Sequence, residues 1–408
     1  MTTLIQPFRG LRPAPNYAAD VAAPPYDVLN TAEARQQAAG RPLSFLHISK
    51  PEIDLPEGTD PYADAVYAKG AANLGALVDQ GVLLRDTDPC YYAYRLTMGA
   101  HTQTGLVCAA SVADYDSNRI RKHEFTRPAK EDDRVRQITA LNAQTGPVLL
   151  AYRASEPVRE ILARTAEGAP LYDVTAADGI RHELWQVTDA TDMARITASF
   201  DAMPALYIAD GHHRSAAASR VAANRRSDQP ACSHFLCVAF PDDEMQILDY
   251  NRVVRDLNGK TTNAVLEEIA AAFVVSAESA PAKPAQPGRF GMYLDGQWYR
   301  LTIDPARIPA DDPVASLDVS LLQDHLLAPV LGIGDPRIDE RIDFVGGIRG
   351  LEELQRRVDS GEMAAGFALF PTRMAALMAV ADANEVMPPK STWFEPKLAD
   401  GLVSHVLD

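Results

Sequence analysis

The chain is poor in cysteine, with four among 408 residues: Cys90, Cys108, Cys232 and Cys237. None forms a CxxC pair, so the spacing carries no thiol-based metal ribbon and no dithiol redox motif. Cys232 and Cys237 lie in an apolar run, where a free thiol acts as a small hydrophobe. So sparse a set fits a reducing compartment. Long apolar runs are missing as well. None approaches the roughly 18 residues that cross a bilayer. The opening Met1 to Pro7 lacks a basic stretch followed by an apolar one, so no secretory leader is expected and the expected location is cytoplasmic. Positive charge is short too: 39 Lys and Arg face 55 Asp and Glu, a net charge of −16. Such a surface repels a phosphate backbone and argues against a nucleic-acid partner, although a local basic cluster can still hold a nucleotide. The familiar signatures of other chemistries are absent: no GxxxxGK[ST] loop, no GxSxG elbow and no HExxH. Gly332-Ile333-Gly334 lacks the third glycine of a dinucleotide fingerprint.

What is present reads as a folded α/β protein. Apolar residues make up 47% and charged residues 23% of the chain, ordinary values for a globular protein. Its length suggests two or three domains. The pattern places an N-terminal α/β region at 1–255 and an additional α+β region at 256–408. The opening is proline-rich, and Pro24-Pro25-Tyr26-Asp27-Val28 is a rigid turn presenting one aromatic ring and one carboxylate. A helix is predicted over Tyr62 to Gln80. Strands are predicted over Cys90 to Leu96, Thr102 to Ala113, Pro147 to Tyr152, His182 to Asp189, Leu206 to Ala209 and His234 to Phe240. Ser276 to Gly288, rich in Ala, Pro and Ser, reads as a linker or long loop. Arg289 to Leu294 and Gln297 to Ile303 flank Asp295-Gly296 as a hairpin with a type I′ turn. Later helices are predicted over Ser316 to Leu331, Leu351 to Ser360 and Thr372 to Asn384.

The strongest functional signal is Asp210-Gly211-His212-His213-Arg214, between a short apolar strand and an alanine-rich helix. A strand that ends in a glycine turn and opens a helix leaves N–H groups pointing outward, and such an end attracts anions. Arg214 can fork two hydrogen bonds onto a phosphate. Gly211 and Ser215, on either side of the turn, are further candidates for binding the phosphate. His212 and His213 can donate hydrogen bonds or move protons near neutral pH. Asp210 can act as a general base or hold a metal. The bland alternative is an acidic cap on a satisfied turn. A zinc shared by His212, His213 and His234 is awkward, because adjacent histidines point to different sides. A phosphate-bound Mg²⁺ needs only one or two carboxylates.

A second charged stretch, Arg119 to Asn142, holds His123, Glu124, Thr126, Lys130 and Arg134. Its basic residues can grip a polyphosphate, with His123, Thr126, Lys130 and Arg134 the candidates for binding phosphate or nucleotide, and Glu124 can serve as a base or metal ligand. The alternative is a solvated charged helix around Lys130 to Thr139. The tail Met387 to Lys397 reads either as a binding loop or as a packed arm.

Taken together, Pro7 to Arg12, Ala23 to Val28, Ser44 to His47, His123 to Thr126, Ile208 to Arg214 and Met387 to Lys397 resemble the domain-of-unknown-function family 1015, end to end. Asp210 to Arg214 also resembles the phosphate-binding signature of the ParB/sulfiredoxin superfamily, whose members include free-serine kinases. That resemblance implies a ParB/sulfiredoxin-like core, bound nucleotide phosphates and an acidic first position, here Asp210. It also implies an upstream glutamate as base, for which Glu124 is the candidate by position. The expectation is a small-molecule phosphotransferase acting on L-serine or a similar hydroxyl compound, with Mg²⁺ and ATP, ADP or pyrophosphate as donor. Arg214, His212, His213 and the helix end would hold the transferred phosphate, with Lys130 and Arg134 on the distal ones. Two competitors are a nucleotide-binding regulatory module without turnover and a phosphodiesterase or nuclease. The oligomeric state is open, a homo-oligomer included.

Overall fold

The structure, a computed structural model, describes residues 3–225 and 230–408. It is a mixed α/β protein that divides into two compact units, one of 1–245 with 396–408 and one of 246–395. The sequence placed the division ten residues later and assigned the tail to the second region. Instead the chain re-enters the first unit at Pro396. There Ser404–Val406 pairs between Gly10–Pro13 and Ala143–Gln144.

A nine-stranded mixed sheet organises the first unit. Its strands are β1 (Ile5–Gln6), β2 (Tyr91–Met98), β3 (His101–Ser111), β4 (Ile120–Arg121), β5 (Val148–Tyr152), β6 (Tyr172–Thr175), β7 (Arg181–Val187), β8 (Leu206–Asp210) and β9 (His234–Pro241). The order is β4-β8-β5-β9-β3-β2-β7-β6, with β1 pairing β3. The strands β5 and β9 are buried along their whole length, so their sequences are continuous apolar runs rather than alternations. β8 lies parallel to β4 and antiparallel to β5. Three helices bear on the site: α1 (Asp64–Asp79), α2 (Pro128–Leu141) and α3 (His212–Arg225). α2 packs against both α1 and α3. Ala216, Ala217, Ala218 and Ala222 of α3 are buried, and their small side chains let the helix lie close on the core. Pro128 opens α2, where a missing N–H costs nothing, and Asn142 ends it with φ of 49°. Among the described residues no helix is long and apolar enough to cross a membrane.

The second unit is built on a six-stranded antiparallel sheet. Asp295 and Gly296 have φ of 50° and 76°, as the expected type I′ hairpin requires. Two expectations fail here. The strand Phe273–Glu278 runs through the start of the expected linker, with Ser276 opposite Arg300. The rest of that stretch is a loop inside the unit, and Ala282 is buried in its core. The helix expected over Ser316 to Leu331 is shorter. Asp318–Leu322 is α-helical, and Gln323–Leu327 widens to a π turn.

Candidate functional site

The site begins where β8 stops. Its pairing with β5 slips between Ile208 and Asp210, an irregularity that re-aims the strand end. Gly211 follows with φ of 97°, a backbone conformation natural only to glycine. It turns the chain directly into α3, which starts at His212, three residues before the helix read from sequence. The N–H of Gly211 donates to Asp210 Oδ1 at 3.0 Å. Arg214 Nη2 donates to Asp210 Oδ2 at 3.2 Å, and Lys397 Nζ stands 3.8 Å from the same oxygen. Burial pushes the Asp210 carboxyl up, but Lys397, Arg214 and His212 outweigh it and hold it down at about 2. Asp210 is therefore ionised, with cations on one oxygen and a backbone donor on the other.

Arg214 is nearly buried. It donates to the Pro147 carbonyl and to Asp210, and it faces Asp27 Oδ2 at 3.8 Å. Burial alone would lower its affinity for a proton; Asp210, Asp27, Tyr26 and Asp400 reverse that and raise it. The expected fork onto a phosphate is thus largely spent inside the protein.

The two histidines do something the sequence did not suggest. His212 Nε2 accepts the N–H of His123 at 3.4 Å, and His213 Nε2 accepts the N–H of Arg127 at 3.0 Å. Together they clamp both ends of the loop between β4 and α2. With Nε2 accepting, each neutral ring carries its proton on Nδ1. For His212 that Nδ1 faces Glu124 Oε2 at 3.6 Å. Burial first, then His123, His213 and Arg214, lower the proton affinity of His212 well below its usual value. Burial lowers His213 as well. His123 packs edge-on to His212 at 4.6 Å and is pushed down to about 4 by burial. Neither ring of the pair is poised to shuttle protons at neutral pH. Glu124, its side chain 56% exposed, is the carboxylate the clamp presents.

The remaining expected residues divide. Thr126 donates to Glu131 on the first turn of α2. Ser215 is fully buried, and its hydroxyl donates back to the carbonyls of Gly211 and His212, so it faces the helix rather than a ligand. Lys130 is exposed and donates to the Tyr62 hydroxyl at 3.2 Å. Arg134 is tied to Asp133 at 2.6 Å and stacks 3.9 Å over the Tyr26 ring. Of the tail, Lys397 reaches Asp210. Among the described residues no group of three or more His, Cys, Asp or Glu is arranged to hold a metal. Asp210 meets the Gly211 N–H on one oxygen and Arg214 and Lys397 on the other, and His234 lies apart on β9 with its ring against Ser233.

Sequence reasoning missed Asp400, which is buried beside Arg214 and is pushed up to about 7, chiefly by burial. Nothing in Leu398 to Gly401 announces it. Tyr26 and Asp27 were visible as a rigid turn, but only the fold brings them to Arg214 and Arg134.

Among solved structures, the chain is similar to a free serine kinase in complex with AMP: 13% identity, TM-score 0.35, covering 73% of this chain and 92% of that one. It is also similar to a conserved hypothetical protein from Pyrococcus furiosus, with 14% identity, TM-score 0.34 and coverage of 73% and 94%. A third is SbnI with a C-terminal truncation from Staphylococcus aureus, with 11% identity, TM-score 0.39 and coverage of 72% and 85%. Likeness at this level says nothing of the chemistry. No curated protein matches. A family model does, over residues 5–320, and on that match the chain belongs to the family described as "Protein of unknown function (DUF1015)".

Proposed function

We propose that the chain transfers a phosphoryl group from a nucleotide or pyrophosphate to the hydroxyl of a small molecule, with L-serine the first acceptor to test. The observation that carries this reading is the clamp. Two neutral histidines at the start of α3 hold the 123–127 loop so that an exposed carboxylate, Glu124, stands at a helix N-terminus. Phosphoryl transfer needs little more than a positioned base and charge neutralisation. In this reading Glu124 accepts the acceptor's hydroxyl proton. The hydroxyl oxygen bonds to phosphorus while the bond to the leaving group breaks, and the leaving group keeps that electron pair. The first turn of α3 and Lys397 face the transferred phosphoryl, and Lys130 faces the distal phosphates. Mg²⁺ enters the assay as the ion that the donor's own phosphates carry, and no step is assigned to it.

The test supplies Mg²⁺, L-serine and each of ATP, ADP and pyrophosphate, and reads phosphoserine by mass spectrometry. Glu124→Gln should abolish product, and Asp210→Ala should lower it at least tenfold. Absence of product with every donor, while nucleotide still raises the melting temperature, would leave a nucleotide-binding module without turnover. The engagement of Asp210 by Arg214 and Lys397, an internal ion-pair arrangement, is the observation that favours this second reading.

A further inference from the structure

Six buried polar side-chain atoms of the first unit lack a hydrogen-bond partner among the described residues, and three of the six belong to residues that line a single cavity. These three are Ser49 Oγ, Arg214 Nε and Asp400 Oδ1. The residues are 5%, 8% and 1% exposed. Buried polar groups without partners are rare in folded proteins, so three around one space point to something that belongs there. The cavity measures about 30 Å³. A water needs roughly 10–15 Å³ on that measure, so the space accommodates about two oxygen atoms. Tyr26, Arg134 and Gly146 form further walls. A Cβ placed on Gly146 would stand 3.3 Å from Arg214 Cδ and 3.6 Å from Asp400 Oδ1. The glycine keeps that side of the cavity open.

We propose that this cavity is a pocket for the carboxylate of a small ligand, whose two oxygens accept from Arg214 Nε–H and the Ser49 hydroxyl and face Asp400. Two of the three unpartnered atoms can donate, and Arg134 adds a second guanidinium to the wall. An ammonium group would meet both guanidiniums. Asp400 fits as the third contact in its acid form. Its carboxyl stands raised at about 7, because burial and then Asp27 outweigh the lowering by Arg214 on α3, Arg134 on α2 and the Tyr26 N–H. The anion then binds the acid form of Asp400, which donates its O–H to the ligand; below about pH 7 that proton is already in place, and above it binding takes the proton up from solvent. Arg214 joins the pocket to Asp210, since its side chain lines the cavity and its Nη2 holds the carboxylate at the end of β8. As an account of the acceptor this rests on the phosphotransfer reading, and it adds that the acceptor is a hydroxy acid. As a carboxylate pocket it stands without that reading.

The test is calorimetric titration of the full chain, without phosphate donor, with glycine, L-serine and ethanolamine at pH 6.5 and 8.5. Glycine and L-serine should bind at least tenfold more tightly than ethanolamine, which lacks the carboxylate. Their affinity should fall on the order of tenfold between the two pH values as Asp400 loses its proton. Gly146→Ala, which fills the cavity with a methyl group, and Ser49→Ala should each weaken binding about tenfold. Asp400→Asn keeps a donor and should bind with the pH dependence removed. Equal binding of ethanolamine, or unchanged affinity in both Gly146→Ala and Ser49→Ala, overturns the pocket. Phosphoserine formation without measurable binding of any probe also overturns it and leaves the transferase standing. Binding as expected, with no phosphorylated product from any donor, sustains the pocket and removes the transferase.

Discussion

At Gly211 a φ of 97° coincides with the guanidinium of Arg214, whose Nε would lie 3.0 Å from an added Cβ. Gly211→Ala therefore meets backbone strain and a displaced buried cation together, and should cost about 1–3 kcal/mol. Urea unfolding measures it, and a variant as stable as wild type would contradict the geometry. Glu124→Gln is the opposite case. Its side chain is 56% exposed, so stability should stay within about 0.5 kcal/mol of wild type. Loss of activity in a variant of unchanged stability would then speak of chemistry. The segment Asp210 to Arg214 was legible in the sequence because a strand, a glycine and a helix follow one another within a few residues. The use each residue is put to was not. The histidines turned out to be acceptors for backbone N–H groups, and Ser215 caps nothing but its own helix. Such assignments depend on which atom faces which, and chain order does not record that. Asp400 shows the limit most sharply: a lone aspartate in a short tail becomes a buried titrating group only because the chain returns to Arg214.

The loop between β4 and α2 is held at both ends by one pair of consecutive residues. His213→Leu removes the acceptor for the Arg127 N–H and should loosen that end by about 1 kcal/mol. Amide exchange at Arg127 should then quicken roughly fivefold, while strands β5 and β9 keep their protection. Unchanged exchange would mean that the hydrogen bond does not hold the loop. Elements with strong local signals were readable from sequence: the buried runs of β5, β8 and β9, and the Asp295-Gly296 hairpin. The strand Phe273–Glu278 escaped because its outward residues include Ser276 and Glu278 and its edge position needs little apolar pattern. The Ser316 to Leu331 periodicity was read as one helix because a π turn leaves no mark in spacing.

Across the whole molecule the buried histidines govern acid stability. His123, His182, His234 and His405 are each held by burial at about 4. In the unfolded chain they titrate near 6.5. As pH falls from about 6.5 toward 4 the unfolded state takes up protons that the folded state refuses, so stability drops in that window. Each group contributes about 1.4 kcal/mol per pH unit there. Asp400 acts in the other direction. Its raised folded value makes its contribution largest below the unfolded carboxylate range and removes it as pH rises through about 7. Asp318, raised to about 6 by burial, acts as Asp400 does, and four histidines against these two carboxyls leave a net loss on acidification. Urea unfolding at pH 7.5 and 5.0 should show a markedly lower free energy at pH 5.0. Equal values would mean that these histidines are not held neutral.

The second unit starts and finishes on a pair of hydrogen-bonded strands: Gln246 lies opposite Glu395, and Leu248 opposite Trp393. During synthesis the residues of 246–395 leave the ribosome before 396–408 does. The sheet of the first unit can form early, but Lys397 and Asp400 arrive only after an entire intervening unit has emerged. A nascent chain stalled short of Pro396 would carry the strand, the glycine turn and both histidines, yet Asp210 would lack one of its cations and Arg214 one of its buried neighbours. Assembly of the site thereby waits until Lys397 and Asp400 have emerged behind the second unit.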